Sequence, residues 1–322
     1  MPSSVYTIVV NWNRWAKTLE CVESLGRVDY PSLRVVVVDN GSDDPPPKDL
    51  EREGVEIIAS DANLGYAGGC NLGIHRGLDR GADYLLVLNN DARLDGGALT
   101  ALVECADGSR EYAVLTPRVV DPRGLEEPGT VQRVSPDAFR LRRLVTGDPD
   151  SPPCAGCDEA HVHDVFLVRG PCLLLRADAL RVAGLFDETY FHYFEEVDLV
   201  ERIRRAGWLI GFCCGSTITH DKGGTLDATT PQALYYLYRN ELLFRRKVYG
   251  WAPLRTVARQ PVRWLVTALH PRHLLSGELR PTAAFVLAVG DAVRGRSGRR
   301  DLGPRFASRL ARSESLRLSD EA

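Results

Sequence analysis

The first part of the chain alternates short, mostly apolar runs with segments whose apolar residues recur at helical spacing. Tyr6–Val10 is a β-branched run that stops at Asn11. Thr18–Leu25 sets Leu19, Val22 and Leu25 on one side of a helix. Leu33–Val38 is a second run, closed by Asp39, Asn40, Gly41 and Ser42, and Val55–Ala59 is a third. A helix is expected from about Gly68 to Arg80, then a fourth strand at Tyr84–Leu88 that ends in Asn89, Asn90 and Asp91. Apolar strands alternating with helices predict a parallel sheet covered on both faces. Polar residues stand just past the strand C-termini, the edge where open α/β sheets take ligands.

The pattern then weakens. Residues 122–163 are rich in Pro, Gly, Asp and Arg and read as an irregular insertion. Strand signals return at Val165–Val168 and Cys172–Leu175, followed by a helix over Glu195–Ala206 and a strand over Trp208–Cys213. From Pro231 onward the pattern is helical and basic.

Composition narrows the class. With 44% hydrophobic and 26% charged residues, the 322-residue chain has the balance of a globular protein. A formal net charge of −3 carries no global nucleic-acid footprint. No apolar run reaches the roughly 18 residues a bilayer span needs, and no basic leader precedes Tyr6–Val10. The eight cysteines are therefore expected as reduced thiols in a cytoplasm.

Several clusters carry candidate chemistry, each beside a plainer reading. Asp91 at a strand end suits a divalent cation held against a diphosphate, since hard cations take oxygen ligands; an Asx turn also explains it. Glu195, Glu196 and Asp198 follow the aromatic run Tyr190-Phe191-His192-Tyr193-Phe194. A carboxylate beside apolar rings has its pKa raised, which suits a general base. Acids at a helix start also answer the helix dipole, and Asp198 and Arg202 are spaced to pair. His220 suits a metal shell shared with Asp91, or a structural role. The Gly-rich stretch after Asp221 suits phosphate. Arg239, behind Tyr235, Tyr236 and Tyr238, suits bidentate phosphate recognition or simple snorkelling.

Taken in order, the motifs are strand-Asn, Asp-Asn-Gly-Ser, Asn-Leu-Gly-Tyr-Ala-Gly-Gly, Asn-Asn-Asp, Gly-Pro-Cys-Leu-Leu-Leu-Arg, Phe-Asp-Glu-x-Tyr-Phe, Glu-Glu-x-Asp-Leu, His-x-x-Gly-Gly-Thr and Tyr-Tyr-x-x-Arg-Asn. This series, over about residues 5–250, resembles family 2 glycosyltransferases of GT-A fold, and within them the rhamnosyltransferase-like branch.

The resemblance implies an inverting enzyme that uses a nucleotide-diphosphate sugar and a divalent cation, Mn2+ or Mg2+. By position, Asn89, Asn90 and Asp91 match the D-x-D-like motif, with Asp91 at the metal-binding place and Asn89 replacing the usual first acid. Asp39 matches the residue at the donor's base or ribose, and Asn11 lies at the first strand end in the nucleotide crevice. Asn63, Gly65 and Asn71 fall in the loop that closes over the nucleotide. Glu196 matches the catalytic base and Glu195 its acceptor-positioning neighbour. His220 matches a third metal-ligand position and Arg239 a residue near the diphosphate. Arg169 and Pro171 depart from the small residues common there.

The reading is an α/β, GT-A glycosyltransferase domain over residues 1–230, with a donor half at about 1–121, the insertion at 122–163 and an acceptor half at 164–230, followed by a helical, basic extension over 231–322. The donor is expected to be dTDP- or UDP-linked, with dTDP-rhamnose first, and the acceptor a glycan, a lipid-linked sugar or a secondary metabolite. Two candidate features stand apart. Cys154, Cys157, His161 and His163 are a candidate structural zinc set against a plain Pro/Gly loop. The basic extension, where Trp251 and Trp264 interleave with Arg255, Arg259 and Arg263, is a candidate peripheral membrane contact. A homodimer is a candidate assembly. A sugar-nucleotide pyrophosphorylase is the rival enzyme and a carbohydrate-binding module the rival non-enzyme. A dinucleotide-binding dehydrogenase is disfavoured because no G-x-G-x-x-G follows the first strand.

Overall fold

The protein is represented by a computed structural model that describes residues 1–94, 96–127, 131–132, 162–165, 167–168, 170–221, 230–250, 252 and 280–302. The chain divides into two units. One comprises Met1–Glu188 and Glu195–Gly224, the other Thr189–Phe194 and Thr225–Ala322.

The first unit contains, in chain order, β1 (Val5–Asn11), α1 (Trp15–Leu25), β2 (Leu33–Asp39), β3 (Val55–Ala59), α2 (Gly65–Asp79), β4 (Tyr84–Asn89), β5 (Ala92–Leu94), α3 (Ala98–Gly108), β6 (Tyr112–Val120), β7 (Val131–Gln132), β8 (Val162–Asp164), β9 (Leu167–Val168), β10 (Cys172–Arg176), α4 (Ala177–Ala183), α5 (Glu195–Arg205) and β11 (Leu209–His220). The main sheet runs β3-β2-β1-β4-β10-β6-β11-β5, with β8 also paired to β11. β7 and β9 form a separate pair.

The four strands expected from the apolar runs form a parallel block, in register from Val5 opposite Leu33 to Asn11 opposite Asp39. Their alternate residues serve opposite faces. Val5, Val9, Leu86 and Leu88 join a core with Val22 and Leu25 of α1 and Leu99 and Leu102 of α3. Ile8 and Leu85 turn the other way, toward α2. There the helix rides close to the sheet because it is glycine-rich: a Cβ on Gly73 would stand 2.3 Å from Cγ2 of Ile8. Full burial of each such aliphatic side chain is worth about 1.5–3 kcal/mol.

The later half adds antiparallel strands to the expected, mainly parallel sheet. β10 runs antiparallel to both β4 and β6, and β5 and β8 run antiparallel to β11. The sheet is therefore mixed. α2 begins at Gly65, earlier than expected, because Gly65 takes the left-handed φ of 80° that lets the chain turn into the helix. The strand expected over Trp208–Cys213 extends to His220, and that over Val165–Val168 shortens to Leu167–Val168.

In the second unit α6 (Pro231–Tyr249) packs on α7 (Arg280–Val293). Thr230 caps α6, its hydroxyl accepting from Ala233 N at 3.2 Å, with Pro231 in the first turn and Gly250 ending the helix at φ 67°. Tyr235, Tyr238 and Leu242 meet Ala284, Ala288 and Ala292, a small-residue stripe at i, i+4, i+8. Among the described residues no helix is long and apolar enough to cross a membrane.

Candidate active site

The parallel strands deliver their polar termini to one sheet edge. Asn11 is fully buried and its amide is engaged throughout: Oδ1 accepts from Thr18 Oγ1 at 2.7 Å and Arg14 N at 3.3 Å, and Nδ2 donates to Ser42 Oγ at 3.0 Å. It fastens the loop after β1 to the loop after β2. Asp39 is the last residue of β2, and its Oδ1 accepts from Ser42 N, three residues on, at 3.0 Å.

The next residue, Asn40, was not singled out from sequence, yet it ties this edge together. Its Oδ1 accepts from Leu64 N at 3.0 Å, and its Nδ2 donates to Gly65 O at 3.0 Å and Asn63 Oδ1 at 3.3 Å. Asn63 Oδ1 also accepts from Gly65 N at 2.8 Å. Asn63 therefore lies in the turn into α2, and Gly65 is the first residue of the helix. Asn71 lies within α2, not in a loop. Its Nδ2 donates to Phe186 O at 2.9 Å and Glu188 Oε1 at 2.8 Å, while its Oδ1 accepts from Phe186 N at 3.1 Å. The side chain is occupied as an anchor for residues 186–188.

At the end of β4, Asn89 Oδ1 accepts from the Tyr66 hydroxyl at 2.8 Å, and Asn90 Nδ2 donates to Thr18 Oγ1 at 3.1 Å. Asp91 turns elsewhere. Its chain continues into β5, which pairs with the end of β11 so that Ala92 stands opposite His220. This brings Asp91 Oδ1 within 3.2 Å of His220 Nε2. The opposite ring nitrogen, Nδ1, lies 2.9 Å from Glu127 Oε1. Burial alone would push the His220 imidazole down, but the hydrogen bonds and charges of Asp91 and Glu127 outweigh it and raise it to about 9.

A carboxylate oxygen and an imidazole nitrogen that meet in this way suit a divalent cation in place of the shared proton. Two protein ligands leave the rest of the shell to diphosphate oxygens and water, as such cations prefer. Among the described residues no three His, Cys, Asp or Glu side chains converge as a self-sufficient metal site. Of the candidate zinc set, Cys154, Cys157 and His161 lie outside the described residues, and His163 sits on β8 opposite Phe212. Arg169 and the glycines after Lys222 also lie outside them.

The acid pair opens α5. Glu195 is 4% exposed, and its Oε2 has no hydrogen-bond partner among the described residues. Burial first, then the charge of Glu196, pushes its carboxyl well above the usual range. Glu196 is less deeply buried. Asp198 takes the plainer role: its Oδ2 accepts from Arg202 Nε at 2.7 Å, one helical turn on. Tyr66 connects the acids to the strand-end asparagines. Its phenol is pushed well above 10, by burial first, then by Cys70 and the carboxylates of Glu195 and Glu196, and it is the group that holds Asn89. Tyr66 stands within the Asn-Leu-Gly-Tyr-Ala-Gly-Gly motif but was not singled out there, and Glu127 stands in no motif.

Arg239 belongs to the second unit and is 1% exposed. Its guanidinium donates to Tyr190 O at 3.0 Å, Gly298 O at 2.6 Å and Asn240 Oδ1 at 2.9 Å, and lies over the rings of Tyr235 and Tyr236. These contacts commit the side chain to the interior of that unit.

Comparison with known proteins bears on the family and the fold. The family model for glycosyl transferase family 2 matches residues 6–158. An N-acetylglucosaminyl-diphospho-decaprenol L-rhamnosyltransferase from Mycobacterium tuberculosis is 29% identical over 263 residues, covering 73% of this chain and 83% of the relative. Residues 6–158 carry a glycosyl transferase family 2 domain. The chain is a rhamnosyltransferase-like glycosyltransferase of GT-A fold. Two solved structures share the fold of this family 2 glycosyltransferase. Residues 1–349 of S. aureus TarS, in complex with UDP-GlcNAc, align with a TM-score of 0.58 at 15% identity, over 91% of this chain and 81% of that one. A mannosyltransferase from Pyrobaculum calidifontis, in complex with GDP-Man and Mn2+, aligns with a TM-score of 0.53 at 14% identity, over 99% of this chain and 83% of that one.

Proposed function

We propose that this glycosyltransferase moves a sugar, with inversion, from a nucleotide-diphosphate sugar to a hydroxyl of a glycan, lipid-linked or secondary-metabolite acceptor, with Mn2+ or Mg2+ held against the diphosphate. The observation that carries the reading is the meeting of Asp91 Oδ1 and His220 Nε2, 3.2 Å apart, at the polar edge of a family 2 sheet. The mycobacterial relative's name favours rhamnose as the sugar and a lipid-linked acceptor, so dTDP-rhamnose is the first donor to test and UDP-linked sugars the next. A cytoplasmic donor supply and a membrane-bound acceptor fit a basic segment beyond Gly250 that meets the bilayer surface.

Asp91 and His220 would hold the cation, and Asp39 would meet the base or ribose. A bound divalent cation offsets the charge that builds on a departing diphosphate. Glu196 accepts the acceptor hydroxyl's proton as that oxygen bonds to the anomeric carbon. The bond from the anomeric carbon to the diphosphate oxygen breaks on the opposite face, so one displacement inverts the centre. Glu195, buried and held toward its protonated form, positions the acceptor side of the pair.

The test is calorimetric titration of UDP and dTDP, each with and without Mn2+, into the wild type and Asp91→Ala. Binding that needs Mn2+ and disappears in the variant is expected, and the tighter nucleotide names the donor base. Equal binding by both proteins would refute the cation site. Glu196→Gln should keep the nucleotide and lose turnover by about 10²–10⁴-fold, the usual reach of general base catalysis.

A further inference from the structure

We infer that Glu127 is a positioning residue for His220, fixing the ring so that Nε2 faces the same point as the Asp91 carboxylate. The inference rests on the proposed role of Asp91 and His220 as ligands of the cation.

An imidazole that ligates a metal through one nitrogen usually donates its other N–H to a carboxylate or carbonyl, which sets its tautomer and orientation. Glu127 is placed to accept that donation. Its Oε1 is 2.9 Å from Nδ1, and its side chain is 8% exposed. An ionised carboxylate only accepts, so the hydrogen on that side belongs to Nδ1. The lone pair of the neutral ring then lies on Nε2, which is 3.2 Å from Asp91 Oδ1.

The fold delivers Glu127 by a short return of the chain. Val120, the last residue of β6, is paired with Thr219, next to His220 on β11. The chain then turns at Asp121, whose Oδ1 accepts from Arg123 N at 2.8 Å and Leu125 N at 3.0 Å. It folds back on the same strand. Asp121 N donates to Leu125 O at 2.8 Å, Glu126 bridges to Val120, and Glu127 N donates to Val119 O at 2.9 Å. An ion pair of 3.0 Å between Arg118 and Glu126 holds the return in place. The turn thus sets a buried acid on the far side of the His220 ring from Asp91.

The experiment titrates Mn2+ into the full chain in the presence of UDP and, separately, dTDP, by calorimetry, for the wild type, Glu127→Ala, Glu127→Gln and Asp91→Ala. Glu127→Ala should bind Mn2+ about 10–100-fold more weakly, the usual cost of losing such a partner, with metal-free nucleotide affinity unchanged. Glu127→Gln keeps an oxygen that accepts from Nδ1–H and should recover most of that loss. Asp91→Ala should lose Mn2+ altogether. Wild-type Mn2+ affinity in Glu127→Ala, with Asp91→Ala defective, would overturn the role of Glu127 alone. Wild-type affinity in Asp91→Ala would remove the cation site and this inference with it. Should Glu127→Ala not fold, Glu127→Asp replaces it: the carboxyl is withdrawn by one methylene, a loss of about tenfold is expected, and no loss overturns the inference.

Discussion

Tyr66 donates its hydroxyl to Oδ1 of Asn89 at 2.8 Å, joining the first turn of α2 to the end of β4. The contact gives the Asn89 amide a fixed partner at the end of β4. A neutral acceptor satisfies the phenol without adding charge beside Asp91, in a neighbourhood that already carries Glu195 and Glu196. Asn89→Asp still accepts the hydroxyl and adds a negative charge two residues from Asp91. Mn2+ measured by calorimetry with UDP or dTDP should bind a few-fold to about tenfold more tightly. Tyr66→Phe removes the bond and should cost about 1 kcal/mol of stability, seen as a lower urea midpoint at unchanged slope.

Glu195 makes the stability depend on pH. Its ordinary value is 4.5, and burial together with Glu196 raises it well above that in the folded protein. The folded chain therefore keeps a proton that the unfolded chain has released. Stability falls as pH rises from about 4.5, the unfolded value, up to the point where the buried carboxyl ionises. Glu195→Gln cannot ionise, so the difference between its unfolding free energy and the wild type's should grow more favourable to the variant across that window. A difference that stays flat with pH would show that Glu195 is ionised in the fold at no cost.

Arg239 separates two readings of one motif. If its guanidinium serves the interior of its own unit, Arg239→Lys keeps the charge but loses the fork that reaches Tyr190 O, Gly298 O and Asn240 Oδ1. The expected result is a loss of about 3 kcal/mol in urea unfolding with UDP and dTDP affinity within about twofold of wild type. A fall in nucleotide affinity at unchanged stability would instead place the side chain at the diphosphate.

The parallel block was readable because β1, β2 and β4 are short, mostly apolar runs that end abruptly in Asn or Asp, a signal that needs no tertiary information. The direction of β10 was not, since Cys172–Arg176 reads the same way in either orientation. β6 escaped notice because it contains Pro117, and the sheet absorbs that residue opposite an irregularity between Cys213 and Thr217 of β11. In the site, the residue types and their strand-end positions were legible while their partners were not. Asn11 lies at the expected strand end and Asn71 within α2 rather than in a loop, and the amides of both are occupied by neighbouring residues. Glu127 lies in a stretch whose composition reads as irregular. Only the pairing of β6 with β11 brings it to His220.

Asn240 carries the remaining prediction. In the second unit, Phe191, Tyr193 and Phe194 adopt left-handed backbone with φ of 65°, 65° and 76°. Each costs roughly 1–2 kcal/mol for a residue other than glycine. The buried Asn240 amide opposes that cost: Nδ2 donates to Tyr190 O at 2.8 Å, His192 O at 2.7 Å and Tyr193 O at 2.8 Å. Its own Oδ1 is held by Arg239 Nε. Two hydrogens shared among three carbonyls make this amide the tie of the strained run. Asn240→Asp has the same shape, lacks both donors and sets a carboxylate against the three carbonyls. It should lose more stability than Asn240→Ala, which is expected to cost about 2–4 kcal/mol as the carbonyls are left short of donors. Hydrogen exchange at the amides of residues 191–194 should accelerate in both variants by more than it does in β1. Exchange that quickens equally everywhere would mean that Asn240 supports the whole fold rather than this run.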